Sequence, residues 1–236
     1  MAFQPIVNAT TGTIFGHEAL VRGLNREPAG EIFKHVNDQN RYRFDQGCRT
    51  KAIELAARLR VEGFLSINFL PNAVYKPELC IQATLRAAEK YGFPIDRIIF
   101  EFTEDEKITS AAHLRSIVDY YKSRGFKTAI DDFGAGYAGL NMLAEIQTDI
   151  VKIDMELIRH IDRSKPRQTI VKNIVRLCAD MSIDVIAEGV ESYEELAALK
   201  SLGIDLHQGY YFARPAFEAL ATVPTAAFAT RNEFRI

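Results

Sequence analysis

The sequence is poor in cysteine and has no excess of charge of either sign. Only three cysteines occur in 236 residues, without CxxC spacing, which argues against a zinc finger and indicates reduced thiols. Lysine and arginine number 29 against 31 aspartates and glutamates, a formal net charge of −2. This balance lacks the basic surface that attracts a nucleic-acid polymer, so we expect no nucleic-acid partner.

Long apolar runs are also absent. No uncharged apolar stretch approaches the roughly 18 residues that a membrane span requires, and the first residues have no leader-like apolar region. These absences predict a cytoplasmic protein without membrane contact. No stretch rich in proline, glycine or serine divides the chain, so we expect one domain over residues 1–236.

Short apolar runs alternate with segments of helical period along the chain. The first two runs flank a polar, glycine-containing turn at residues 8–12, which predicts a hairpin. The eight predicted strands are residues 3–7, 13–22, 64–70, 97–103, 126–132, 149–154, 182–188 and 203–211.

Amphipathic helices are predicted between these strands. Two apolar stripes with helical spacing are Leu114, Ile117, Val118 and Tyr121, and Ile170, Ile174, Val175, Cys178 and Met181. Strands that alternate with helices predict a parallel sheet. Eight strands in about 230 residues favour an α/β fold, a modified TIM (β/α)8 barrel with one antiparallel strand near the N-terminus. An open doubly wound sheet is the alternative.

Polar residues stand at the carboxyl ends of the predicted strands. In a barrel these ends meet on one face, where active sites are built. Each acid taken singly fits the cap of a helix equally well. An unpaired charge within the apolar runs at Glu101 or Asp131 would be expensive to bury, however. The strand-end residues are Glu18, Asn68, Glu101, Asp131, Asp132, Lys152, Asp154, Glu188 and Gln208.

The predicted face carries far more negative than positive charge. With Glu104 and Glu191 included, eight carboxylates stand against Arg22 and Lys152, so the cluster needs added cations. Carboxylate and amide oxygens favour Mg²⁺ or Mn²⁺, whereas zinc would ask for histidine or cysteine. Adjacent aspartates let one carboxylate bridge two ions, an arrangement used to hydrolyse phosphodiesters. The pattern therefore indicates phosphoester hydrolysis.

The two basic residues have two interpretations each. Lys152 among the acids can orient the attacking water or offset phosphate charge, or it can be a solvated lysine beside a helix start. Arg22 can clamp a phosphate through two hydrogen bonds, or it can form a surface salt bridge.

A glycine pattern follows the predicted strand 126–132. Gly134, Gly136 and Gly139 satisfy GxGxxG, and Asp154 lies 20 residues beyond Gly134, as in dinucleotide-binding proteins. Two aspartates directly before this loop would repel a pyrophosphate. A glycine-rich mobile loop beside a metal pair fits better.

The strand-end residues belong to short motifs in a fixed order between Gln4 and Pro215. The motifs are Gln4-Pro5-Ile6, Glu18-Ala19-Leu20-Val21-Arg22, Asn68, Glu101-Phe102-Thr103-Glu104, Asp131-Asp132-Phe133-Gly134, Lys152-Ile153-Asp154, Glu188-Gly189-Val190-Glu191, Gln208-Gly209-Tyr210 and Pro215. Together they resemble the EAL domain family, the bacterial cyclic di-GMP phosphodiesterases. The resemblance implies a modified barrel that hydrolyses cyclic di-GMP to linear pGpG with two Mg²⁺ or Mn²⁺ ions per active site.

The resemblance also implies roles for individual residues. Lys152 would contact the nucleophilic water, and Glu188 would act as general base or as a metal ligand. Glu104 would brace the loop 132–140, near which family members usually form homodimers. The implied metal ligands are Glu18, Asn68, Glu101 and Asp131 for the first ion, and Asp131 with Asp132 and Glu188 near the second. The residues implied to border the nucleotide are Gln4, Leu20, Arg22, Asp154, Glu191, Gln208 and Pro215.

The loop after the adjacent aspartates departs from the family pattern. Ala135, Ala138 and Gly139 replace three hydroxyl residues, so partners for Glu104 are lost, and Leu70 replaces a serine. One alternative is therefore a catalytically weak or silent module that binds cyclic di-GMP or a protein partner. Another is a barrel phosphodiesterase for a different nucleotide. Retention of every implied metal ligand favours the active enzyme.

Overall fold

Eight strands close into a barrel in the computed structural model, which describes residues 1–103, 110–136 and 139–228. The predicted α/β barrel is confirmed, and an open sheet is excluded because the first strand, Ala2–Asn8, pairs with both the second, Thr13–Leu20, and the eighth, Leu206–His207. The barrel strands are β1 (Ala2–Asn8), β2 (Thr13–Leu20), β3 (Phe64–Asn68), β4 (Ile98–Thr103), β5 (Lys127–Phe133), β6 (Ile150–Ile153), β7 (Asp184–Ala187) and β8 (Leu206–His207).

Helices connect the strands and cover the outside of the barrel. The stripe predicted from Leu114 to Tyr121 is buried as expected, on the helix Ala111–Ser123. On the helix Lys165–Asp180 the buried stripe is Val171, Ile174 and Cys178, so the assignment of Ile170 to it was wrong, and Ile170 is 47% exposed. No helix among the described residues is both long and apolar enough to cross a membrane. The α-helices are α1 (Ala29–Phe33), α2 (Arg41–Arg58), α3 (Pro77–Cys80), α4 (Gln82–Tyr91), α5 (Ala111–Ser123), α6 (Gly139–Glu145), α7 (Met155–Ile158), α8 (Lys165–Asp180) and α9 (Tyr193–Ser201).

The strand β1 is antiparallel to both of its barrel neighbours, as predicted. All other neighbouring barrel strands are parallel. The strand β8 is shorter than the predicted 203–211 because the chain leaves the sheet at Gly209. At that residue a Cβ would lie 2.0 Å from the carbonyl oxygen of Val190. A ninth strand, β9 (Ala216–Phe217), pairs with the start of β1 and was not predicted.

The charged residues at the carboxyl end of the barrel lie directly beyond an apolar layer in the barrel interior. Ile6, Ile99, Ala129, Ile150 and Ile186 form a small apolar layer inside the barrel, separate from the main core between strands and helices. Side chains two positions apart on a strand share a face. On the four parallel strands of this layer, the interior positions two residues further along therefore face the carboxyl end of the barrel, and they are Glu101, Asp131, Lys152 and Glu188.

Candidate active site

Lys152, on β6, lies at the centre of the charged side chains at this end of the barrel. Its side chain is fully buried, and its Nζ lies 2.7 Å from Glu188 Oε1 and 2.9 Å from Asp131 Oδ1. The same Nζ lies 3.1 Å from Glu101 Oε2 and 3.5 Å from Glu18 Oε2. The structure thus brings together five residues from β2, β4, β5, β6 and the end of β7.

Neutral side chains fix the orientation of the carboxylates. Asn68 donates from Nδ2 to Glu18 Oε1 at 3.0 Å, and Gln208 donates from Nε2 to Glu18 Oε2 at 2.8 Å. Ser66 donates from Oγ to Glu101 Oε1. Both oxygens of Glu18 are therefore held by amides that reach it from the two sides of β2, one from β3 and one from the segment after β8. Because Nδ2 of Asn68 is the donor, its amide oxygen is the atom left to ligate a cation.

The adjacent Asp131 and Asp132 both reach the site, although consecutive residues of a regular strand point to opposite faces. The pairing of β5 with β6 shifts register between Ile130 and Phe133. Asp132 has a φ of 54°, a left-handed conformation that aspartate tolerates better than most residues. This irregularity turns the second carboxylate toward the same cavity as the first.

The carboxylates form two groups that share Asp131. The first group is Glu18, Glu101 and Asp131, and the second is Asp131, Asp132 and Glu188. Within each group, each residue contributes one carboxylate oxygen, and these three oxygens all lie within 4.8 Å of one another. A residue shared between two such groups is positioned to bridge two cations.

Burial changes the protonation of these groups. Burial raises the pKa of Glu101 to about 8 in spite of its attraction to Lys152. Burial raises the pKa of Asp132 to about 6, with repulsion from Asp131 adding to the effect, and it also raises the pKa of Glu188. Burial alone would lower the pKa of Lys152, but the surrounding carboxylates outweigh it and raise that pKa. One ammonium group therefore does not neutralise the cluster.

The residues fit divalent cations that prefer oxygen ligands. The two groups hold five carboxylates, and Lys152 is the single cation bound among them in the described part of the chain. Asp131 Oδ1 is buried and accepts no hydrogen bond from the described residues, since its contact with Lys152 lacks hydrogen-bond geometry. All-oxygen donors suit Mg²⁺ or Mn²⁺ and not zinc.

Two cavities open on either side of the carboxylates. The acidic cavity, about 280 Å³, is lined by both aspartates and by Gln4, Asp154, Glu191 and Gln208. The apolar cavity, about 390 Å³, shares Glu18 and the two aspartates and is otherwise lined mainly by apolar residues from β2, β3, α1 and α2, including Leu20. The carboxylates thus lie between a polar and an apolar compartment.

Some of the predicted nucleotide contacts have other roles or lie apart from the cavities. Asp154 caps α7 by accepting a hydrogen bond from the backbone of Glu156 at 2.8 Å. Arg22 donates to the carbonyl oxygen of Val21 at 2.7 Å, and neither Arg22 nor Pro215 lines the acidic or the apolar cavity. The predictions for Glu104 and Ala138 lie outside the described residues.

Several residues that line or support the site were not predicted. Ser66 lies two positions before Asn68 on β3, so the two-residue period of a strand was a signal that could have found it. Phe33 and Phe44 line the apolar cavity from α1 and α2. These helices precede β3 in a stretch whose sequence carries no clear strand or helix period, so their contribution could not be found from local pattern.

The fold and the site define a TIM-barrel protein with a carboxylate-rich centre at the carboxyl ends of its strands, suited to divalent cations. The chain belongs to the EAL domain family, whose model matches residues 1–215. The family resemblance that rested on the ordered motifs is thereby confirmed.

Two solved structures show the similarity at the level of the whole fold. A standalone versatile EAL protein from Vibrio cholerae O395, in its c-di-GMP bound form, is 58% identical with a TM-score of 0.94, covering 98% of this chain and 97% of that one. The manganese/cy-diGMP complex of Klebsiella pneumoniae BlrP1 is 38% identical with a TM-score of 0.88, covering 94% of this chain and 57% of that one.

Two curated relatives from Escherichia coli K12 bear different names. The blue light- and temperature-regulated antirepressor BluF is 32% identical over 94% of this chain and 55% of its own length. The probable cyclic di-GMP phosphodiesterase PdeG is 29% identical over 90% of this chain and 44% of its own length. The chain thus spans about half the length of these relatives.

Proposed function

We propose that this chain is a metal-dependent phosphodiesterase that hydrolyses cyclic di-GMP to linear pGpG. The observation that carries the proposal is the pair of carboxylate groups that share Asp131 at the barrel end. The similarity to a structure with bound c-di-GMP and to a relative named as a probable phosphodiesterase supports the substrate and the reaction.

Two Mg²⁺ or Mn²⁺ ions are the proposed cofactors. Divalent ions bound in this way polarise a phosphoester and activate a water molecule for in-line attack. A manganese complex among similar structures supports this choice of ion. Asp131 would be shared between the two ions. The other proposed ligands are Glu18, Asn68 and Glu101 for the first ion, and Asp132 and Glu188 near the second.

Lys152 and Glu188 would handle the attacking water. The Lys152 ammonium is held by four carboxylates, lies 2.9 Å from Asp131 Oδ1 and would orient the water or offset phosphate charge. Glu188 Oε1 lies 2.7 Å from Lys152 Nζ. Glu188 would either take the proton of the water or ligate the second ion. Glu104 would support this arrangement through the loop 132–140.

The nucleotide would lie across both cavities. Gln4, Asp154, Glu191 and Gln208 would border it on the acidic side, and Leu20 would border it in the apolar cavity. Arg22 would clamp a phosphate after its side chain turns away from the Val21 carbonyl oxygen. Pro215, which directly precedes β9, would also border the nucleotide.

The direct experiment is turnover of cyclic di-GMP by the purified chain in Mg²⁺ or Mn²⁺, with the product resolved chromatographically. We expect conversion to pGpG that stops when EDTA removes the metal. A panel of other cyclic dinucleotides serves as the specificity control. Absence of pGpG at saturating metal, with the protein folded, would contradict the proposal.

The second candidate is a weak or silent module that binds cyclic di-GMP or a protein partner. The relative named as an antirepressor favours it, together with the loss of hydroxyl side chains at Ala135 and Gly139. Calorimetry that shows tight binding of cyclic di-GMP without turnover would select this candidate.

The remaining proposals concern the state of the protein. We propose that residues 1–236 act as one domain and form a homodimer near the loop 132–140, and light scattering of the purified chain tests the dimer. We also propose a cytoplasmic location, without a nucleic-acid polymer or a membrane as partner. The free thiols of Cys48, Cys80 and Cys178 support a reducing compartment.

A further inference from the structure

Asp45 is a buried carboxylate outside the barrel that belongs to neither carboxylate group. It lies on α2, is 2% exposed and reaches toward the segment that follows β3. Its Oδ1 accepts a hydrogen bond from the backbone N–H of Leu70 at 3.0 Å, and its Oδ2 accepts one from Arg49 Nη2. A carboxylate buried in this way is held in one orientation by both oxygens.

The segment that Asp45 contacts is the one that carries Asn68 into the site. Immediately after Asn68, the backbone N–H of Phe69 donates to the carbonyl oxygen of Glu101 at 2.9 Å. The next N–H, that of Leu70, donates to Asp45. The chain that leaves β3 is therefore held by β4 on one side and by α2 on the other.

Arg49 fixes Asp45 against the barrel. Arg49 is fully buried, donates to the hydroxyl of Tyr121 at 3.3 Å, and places its guanidinium 5.7 Å from the ring centre of Phe100. Phe69 packs edge-on against the same ring at 5.8 Å. The ion pair thus connects α2 to α5 and to the residue that precedes Glu101.

We propose that Asp45 is a positioning residue for the first metal ion. By accepting the hydrogen bond from Leu70, it fixes the turn after β3 so that Asn68 stays hydrogen-bonded to Glu18 through Nδ2 and offers its amide oxygen to the ion. This inference rests on the proposed function, because it takes Asn68 as a metal ligand. Groups that orient a ligand from behind commonly change metal affinity by about 10–100-fold when they are removed.

Two double variants separate the hydrogen bond from the buried charge. Asp45→Leu with Arg49→Met removes both charges and the acceptor for Leu70, a replacement that proteins often tolerate in folding. Asp45→Asn with Arg49→Gln also removes both charges but keeps an oxygen for the Leu70 N–H. The asparagine amide can then donate to the new glutamine. The matched control is Asp149→Asn, since Asp149 accepts from the Thr128 N–H at 2.8 Å at the other end of the barrel.

The measurement is Mn²⁺ affinity by isothermal titration calorimetry, with hydrogen exchange of the peptide around Leu70 in metal-free protein as a second readout. We expect the Leu/Met variant to bind Mn²⁺ about tenfold more weakly and to exchange faster at Leu70. The Asn/Gln variant and Asp149→Asn should match the wild type in both readouts.

The outcomes separate this inference from the proposed function. Equal Mn²⁺ affinity of the Leu/Met variant and the wild type would overturn the positioning role while leaving the metal site intact. Equal weakening of both double variants would also overturn it, because charge and not the hydrogen bond would then be responsible. A wild type that binds no Mn²⁺ would instead remove the proposed function itself.

Discussion

Replacing Glu101 by glutamine tests how strongly the metal-free cluster resists a buried charge. Burial raises the pKa of Glu101 from 4.5 to about 8, so the folded state holds a proton that the unfolded state releases in this pH interval. The metal-free protein should therefore lose stability as pH rises from 4.5 to 8. A pKa shift of one unit corresponds to about 1.4 kcal/mol, so this carboxyl removes about 3 to 4 kcal/mol between pH 5 and 8.

The assay is urea unfolding in EDTA at several pH values, with the difference between wild type and Glu101→Gln as the measured quantity. This difference cancels the contributions of other titrating groups, to the extent that they are unaffected by the substitution. We expect the glutamine variant to become more stable relative to the wild type by a few kcal/mol as pH rises from 5 to 8. Saturating Mn²⁺ should remove most of this pH dependence in the wild type, because the ion takes over from the proton.

A difference that stays constant within about 1 kcal/mol across this pH range would refute the argument. Glu101 would then ionise in the metal-free fold at ordinary cost, and the case that the cluster needs a cation would lose its main electrostatic support. The matched control is Glu195→Gln. Burial opposes ionisation there too, but three backbone hydrogen bonds and the nearby Arg159 lower the pKa of Glu195. Its pH trend should have the opposite sign.

Three further predictions follow from single contacts. Lys152→Met removes the buried cation and should lower the free energy of unfolding in EDTA at pH 8 by about 3 kcal/mol. In thermal unfolding, Mn²⁺ but not Na⁺ should restore part of the lost stability. Gly209→Ala should cost about 1 to 3 kcal/mol in urea unfolding, because its Cβ would lie 2.0 Å from the Val190 carbonyl oxygen; Gly47→Ala, with open space, should cost nothing comparable. Burial lowers the pKa of His17 to about 4, so protonation of His17 should cost the wild type about 2 to 3 kcal/mol of stability as pH falls from 6.5 to 4. His17→Leu should remove this loss, and an unchanged acid limb of the pH profile would contradict the prediction.

Most of the barrel could be predicted because its strands are short apolar runs bounded by polar residues. The interior layer contains Ile99, Ala129 and Ile150, and the two-residue period of a strand then places charged residues at the carboxyl end. This is why the residues around Lys152 could be predicted from one sequence as neighbours in space. The prediction of β8 was too long because its apolar pattern continues past Gly209, where backbone contact with Val190 ends the strand.

Other features depend on tertiary contacts that no local pattern reports. Asp132 faces the site only because β5 is irregular in its pairing with β6, and a regular strand would have turned it away. Phe33 and Phe44 line the apolar cavity only because of how α1 and α2 pack. The hydrogen bond from the Leu70 N–H to Asp45 joins residues that are 25 positions apart. Arg22 was predicted at a phosphate from its position after Glu18, whereas its side chain contacts a backbone carbonyl here.

The most direct test of the metal centre is anomalous diffraction from crystals of the protein soaked with Mn²⁺. Two manganese peaks should appear about 3.5–4 Å apart, one on either side of the Asp131 carboxylate. One peak should lie beside Glu18 and Glu101 and the other beside Glu188. Crystals that diffract well and show no manganese within ligand distance of Asp131 would contradict it.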